Sequence, residues 1–190
     1  MVLGASWAYR ITDLETGAVS TKTRTIEAFE DVGDRKTGIT AYRMRVENAN
    51  GHSLSWFEDL GVGAGVVRHR EQSFDGSGAH EKDEFYEAHK LRVDESAAHV
   101  LAGAAWTETY VETIVKPGLP EENEEEIRNW TVEATAESVS VPAGTFDALR
   151  VRRMSPAGGS DKTLWFVAGI GIVKESEPGV EDAELTTWSF

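Results

Sequence analysis

The sequence predicts an all-β protein, a curved antiparallel sheet or incomplete β-barrel with at most one short helix. Three observations carry that expectation. Apolar and polar residues alternate with a period of two, the alternating runs are rich in β-branched and aromatic residues, and Gly-, Asn- or Asp-containing turns separate them. About ten to twelve strands fit this criterion. Residues 1–190 read as one domain, long enough for a hydrophobic core.

Taken in order, Trp7, Tyr9 and Ile11 alternate with Ala8, Arg10 and Thr12, and Tyr42, Met44 and Val46 alternate with Arg43, Arg45 and Glu47. Asn50-Gly51 is the sharpest hairpin signal, lying between the runs near Tyr42 and Trp56. Asp94-Glu95-Ser96 is placed to cap a short turn through Ala97–Leu101 that stops near Gly103, while Glu124–Arg128 has helix-forming composition but leads directly into an alternating run. In the next run Trp106, Tyr110 and Ile114 share a face, while Thr107, Thr109, Val111, Thr113 and Val115 line the other. Neither face is plainly polar, so this sheet is expected to be covered twice, with the acidic residues concentrated in loops and at strand ends. The stretch Pro120–Glu126 reads as such a solvated loop, because its carboxylates lack the spacing of a calcium loop. It leads into a strand through Arg128, Trp130 and Val132.

One repeat is visible. Trp56-Phe57 followed by Gly61-Val62-Gly63 and a Val-rich run ending at Arg68 parallels Trp165-Phe166 followed by Gly169-Ile170-Gly171 and a run ending at Lys174. Each unit reads as a hairpin with a bulge, and together they suggest two related halves.

Charge removes several functions. Nineteen basic against 33 acidic residues give a net charge of −14, so neither nucleic acid nor an anionic membrane surface is an expected partner. With no cysteine there is no disulfide, thiol nucleophile or thiolate metal site. No apolar run approaches the roughly 20 residues of a membrane-spanning helix. The opening Met1–Ser6 has no basic segment followed by an apolar one, so the expected location is the periplasm or outer envelope if a leader has been removed, and the cytoplasm otherwise.

No catalytic, metal or cofactor site is predicted. The Gly-x-Gly segments are followed by strands rather than helices, and no phosphate-loop lysine accompanies them. The five histidines, His52, His69, His80, His89 and His99, form no ligand motif, although His80, Asp83, Glu84 and His89 could converge on folding. Ser77 and Ser160 lie in turn sequences where Asp and Ser bond their own backbone. Asn129-Trp130-Thr131 matches a glycosylation sequon inside an expected strand. The six tryptophans (Trp7, Trp56, Trp106, Trp130, Trp165 and Trp188) read chiefly as core, with the lining of an apolar pocket as the alternative.

The segment Val139–Val151, containing Val141-Pro142-Ala143-Gly144-Thr145-Phe146, together with Leu164–Lys174 and Glu184-Leu185-Thr186, resembles a group of uncharacterised bacterial cell-envelope proteins. That resemblance implies an open, curved antiparallel barrel, similar in architecture to the periplasmic lipoprotein carriers. It implies no catalytic residue. Here the lipobox cysteine of lipid-anchored members is missing. Three functions fit these residues: a non-enzymatic envelope protein binding or carrying an apolar small molecule or lipid in its concave face, a structural or protein-interaction domain with a filled core, and, third, an enzyme of unfamiliar type. An internal cavity would separate the first two. Oligomeric state is not legible in the residues.

Overall fold

The computed structural model describes all 190 residues. Twelve strands succeed one another around a barrel: β1 (Ser6–Asp13), β2 (Val19–Asp31), β3 (Thr40–Asn48), β4 (Gly51–Asp59), β5 (Gly65–Asp75), β6 (His80–Asp94), β7 (Ala105–Val115), β8 (Glu122–Val141), β9 (Gly144–Met154), β10 (Asp161–Val167), β11 (Gly171–Glu177) and β12 (Glu181–Ser189). Every neighbouring pair is antiparallel. The barrel is closed rather than incomplete, because Trp7 of β1 lies opposite Arg24 of β2 on one side and Trp188 of β12 on the other. Closure leaves no free sheet edge for another chain to extend.

The Asn50-Gly51 signal marks a real hairpin. Asn48 pairs with Gly51, and Gly51 opens β4 at φ 145°, where a Cβ would collide with the carbonyl of Phe74 in β5. Gly51→Ala is therefore expected to destabilise the fold by about 1–3 kcal/mol, the usual cost of a strained backbone position. Its denaturant midpoint checks this, and an unchanged midpoint would show that β4 and β5 can separate at no cost.

Two expectations need correction. The segment after Asp94 forms no α-helix. Asp94 does cap a turn, accepting from the Ser96 amide at 2.9 Å. Beyond that cap lies a pair of isolated turns tied to β8, with Gly103 donating to Val132 O. A five-residue run is too short to repay helix nucleation, and β8 offers its amides better partners. The acidic stretch is also not all loop. Glu122–Glu126 belongs to β8 and pairs with Tyr110–Ile114 of β7. At the rim the carboxylates stay in water while their backbone completes the ladder, so the strand starts at Glu122 rather than near Arg128. The only helical turn is a 3-10 turn at Asp34–Lys36.

The aromatic repeat is geometrically genuine. Register shifts fall between Trp56 and Phe57 in β4 and between Trp165 and Phe166 in β10. Arg43 lies opposite Trp56 and Arg150 opposite Trp165. The Trp56 indole donates to Glu30 at 3.1 Å and the Trp165 indole to Glu137 at 2.9 Å, while Arg43 and Arg150 pair with those same carboxylates. Arg70 and Lys174 sit over the two indole rings. The two sets are six strands apart, which places them on opposite sides of the barrel.

The resembling C-terminal segments come together as well. Pro142-Ala143 makes the β8–β9 turn, Ala143 donates to Leu185 O at 2.9 Å, and Phe146 meets Trp188 edge-on at 5.7 Å. Val139, Ala148, Val173 and Leu185 form one cluster there with Tyr9 and Ile11.

Candidate functional site

The side chains facing the lumen are fixed by register. Arg92 in β6 reaches Glu175 in β11 at 3.7 Å, with four strands between them on the shorter way round the barrel. That contact can only cross the interior. Cross-strand partners share a face. Glu175 is opposite Leu164 and Ala183, Leu164 is opposite Val151, and Arg153, two residues on, is opposite Trp130. Trp130 is opposite Trp106, which shares its face with Glu108, Tyr110 and Glu112. Tyr86 is opposite Glu112, Glu84 is opposite Ile114, and Glu71 is opposite Glu84. The interior is therefore lined by charge, contrary to the expectation that acidic residues stay in loops and at strand ends. A barrel of eight strands is just filled by ordinary side chains, whereas one of sixteen or more holds a channel. Twelve strands leave a width that Arg, Lys, Glu and aromatic side chains span. Trp56, by contrast, faces outward beneath the β2–β3 connection, where Lys36 donates to the Tyr86 and Ala88 carbonyls at 2.7 and 3.0 Å.

Glu175 is the centre of the lumen. It is 9% exposed and accepts from Lys162 at 3.1 Å through Oε1. Its Oε2 accepts no hydrogen bond and sees Arg92 at 3.7 Å and Arg24 at 3.9 Å. Burial alone would raise its pKa, but Arg92, Arg24 and Lys162 hold the carboxyl well below the usual range. Desolvation acts on the cations in the opposite sense, pulling Arg92 down to about 10 and Lys90 to about 8. Lys90 lies over the rings of Tyr86 and Tyr110 at 4.7 and 5.3 Å. Burial lowers Arg153 and raises Glu108 and Glu112.

Beside this network an apolar cleft opens at the rim covered by the β6–β7 connection. Trp106, Trp130, Leu164, Phe166 and Ile172 line it together with Arg92. His99, Trp106 and Trp130 stack face to face with centroids 4.0 and 5.8 Å apart, and Asp94 fixes the His99 ring at 2.6 Å. The enclosed space is about 10 Å³, room for a single water. The open concave face of the carrier expectation is thus a packed interior with a narrow apolar entrance.

The histidine-centred set does not converge. His80 and Asp83 pair at 3.1 Å, and Asp83 also receives Arg70. Glu84 points into the lumen on Lys82, while His89 lies edge-on to His69 at 6.1 Å. His69 is buried rather than at the surface, held at 2.8 Å by Glu58. Ser77 bonds Asp75 within its own turn, as expected, and Asn129 sits within β8 bonded to Thr107. Of the six tryptophans only Trp56 and Trp130 are fully buried, and Trp106 and Trp130 line the cleft. Sequence reasoning missed Arg24, Arg92, Arg153 and Glu175. The only trace they left was a charged residue in the inward register of otherwise strand-like runs.

No helix is long and apolar enough to cross a membrane. The outward face carries the pairs Arg10–Glu184 and Arg152–Asp161, the reverse of the apolar band of a lipid-facing barrel. No family model matches the chain, and no curated protein or solved structure does either.

Proposed function

We propose that this is a non-enzymatic binding protein of the cell envelope that takes the apolar part of a small molecule into the Trp106–Trp130 cleft. The observation that carries the reading is the convergence of two stacked indoles with Leu164, Phe166 and Ile172 on one entrance. Ligand sites are typically concave and largely apolar, with a few placed polar groups. The resemblance of Val139–Val151, Leu164–Lys174 and Glu184–Thr186 to envelope proteins supports the location and the absence of catalysis. With room for one water, entry requires the β6–β7 connection to lift, and its isolated turns hold it less firmly than a strand ladder would.

Both indoles report on occupancy. Titration with a naphthalene dye is expected to shift tryptophan emission, and a medium-chain alcohol or fatty acid is expected to displace the dye. An unchanged spectrum up to millimolar dye would defeat the reading. The second reading, a filled-core interaction domain, would then stand. It is favoured by the packed lumen and by the exposed Phe29, Leu60 and Val62 at one end of the barrel.

A further inference from the structure

We infer that the ligand taken by this cleft carries an oxyanion head group, a carboxylate or phosphate monoester, and that Arg92 and Arg153 receive it. The inference rests on the cleft reading above and adds the head-group chemistry.

The first argument is local charge. Around Glu175 the lumen holds Arg24, Arg92, Arg153 and Lys162, while the carboxylates that answer them are Glu175 and Glu177. Four cations face two anions, inside a chain whose net charge is −14. A buried charge is costly unless paired and hydrogen-bonded. Arg153 forms no ion pair, its Nε has no acceptor, and its one close partner is the face of Trp130 at 5.5 Å. Glu108, another carboxylate that feels the Arg153 charge, is already engaged by the Trp130 indole at 3.0 Å and by the Leu91 amide.

The second argument is room and access. Strands surround Arg92, yet 26% of its side chain remains exposed, so the residue is not sealed into the network. Arg92 is one of the residues lining the apolar cleft, and so is Trp130, the ring beneath Arg153. A chain or ring lying against the indoles and Phe166 would bring an attached head group close to Arg92. The guanidinium fork matches the paired oxygens of a carboxylate or phosphate. Asp94 also lines the cleft, but its carboxylate is turned to Ser96 and His99.

The test compares decanoate, decyl phosphate, decanol, decyltrimethylammonium and inorganic phosphate on the intact protein, read by tryptophan emission and calorimetry. Decanoate and decyl phosphate are expected to bind about 10-fold or more tightly than decanol, the scale of a charge-assisted hydrogen bond, and decyltrimethylammonium not at all. Arg92→Met or Arg153→Met is expected to bring decanoate binding down to the level of decanol in the same variant, with Arg92→Lys retaining part of the preference. The head-group comparison in the unaltered protein needs no variant, so misfolding of a substitution leaves the proposal exposed to disproof. Equal binding of decanoate and decanol would overturn the head-group inference and leave the cleft reading standing. Binding of none of the decyl compounds would overturn the cleft reading, and the inference with it. Arg92-dependent binding of inorganic phosphate alone would also overturn the inference, since the anion would then bind without an apolar body.

Discussion

Glu175→Gln is expected to cost about 3–5 kcal/mol of folding free energy, the scale of removing one partner from a buried ion cluster. The carboxylate is the shared counter-charge of Lys162, Arg92 and Arg24, and losing it leaves those cations facing one another inside the lumen. The exposed pair Arg152–Asp161 is the control, since breaking it is expected to cost under about 1 kcal/mol. The effect has a defined pH dependence. Burial opposes ionisation of Glu175, but the surrounding cations outweigh it and depress the folded-state pKa below the unfolded one. Its stabilisation is therefore fully present above the ordinary carboxylate range and is lost as pH falls toward the folded value. Chemical denaturation at neutral pH and at about pH 4, just below the unfolded glutamate value, should show the gap between the two proteins narrowing in acid. A constant gap would mean that Glu175 acts through packing rather than charge.

Trp130→Ala is expected to be as damaging, at about 3–5 kcal/mol. Trp130 is 2% exposed, donates its indole N–H to Glu108 at 3.0 Å and lies beneath Arg153. Its removal leaves a cavity, an unanswered carboxylate and a guanidinium without its ring. Trp106, stacked on it but half-exposed at the cleft, should tolerate the same change with a smaller loss. Denaturant midpoints of the two variants check the order. If Trp106→Ala proves the costlier, the inner wall of the cleft has been placed on the wrong residue.

Much of the fold was legible because strand alternation is a local property. Trp106, Tyr110 and Ile114 do share a face, Asn50-Gly51 does mark a hairpin, and Trp56-Phe57 and Trp165-Phe166 do occupy equivalent bulges. A finer pairing was present but harder to see. Glu30 and Arg43 are thirteen residues apart, as are Glu137 and Arg150, and each pair flanks one of the repeated tryptophans. Such spacing carries no signal until the register brings three strands together. The acidic stretch at Glu122–Glu126 misled for a related reason, since solvation of the carboxylates says nothing about where their amides bond.

The sequence by itself determined that this chain is built from alternating β-strands, that it lacks thiol chemistry, and that its net charge is −14. Only the tertiary structure decided that the sheet closes, because closure depends on β1 meeting β12 across the whole chain length. Only the tertiary structure decided which face turns inward. A period of two states that Lys82, Glu84 and Tyr86 share one face and Asp83 and Phe85 the other, and each set mixes charged with aromatic residues, so neither is marked as the inner face. The number of strands settled the matter. A twelve-stranded circumference leaves more interior than the aliphatic cluster of Val139, Val173 and Leu185 fills, so long ionised side chains occupy the rest, and Arg92 finds Glu175 across the lumen.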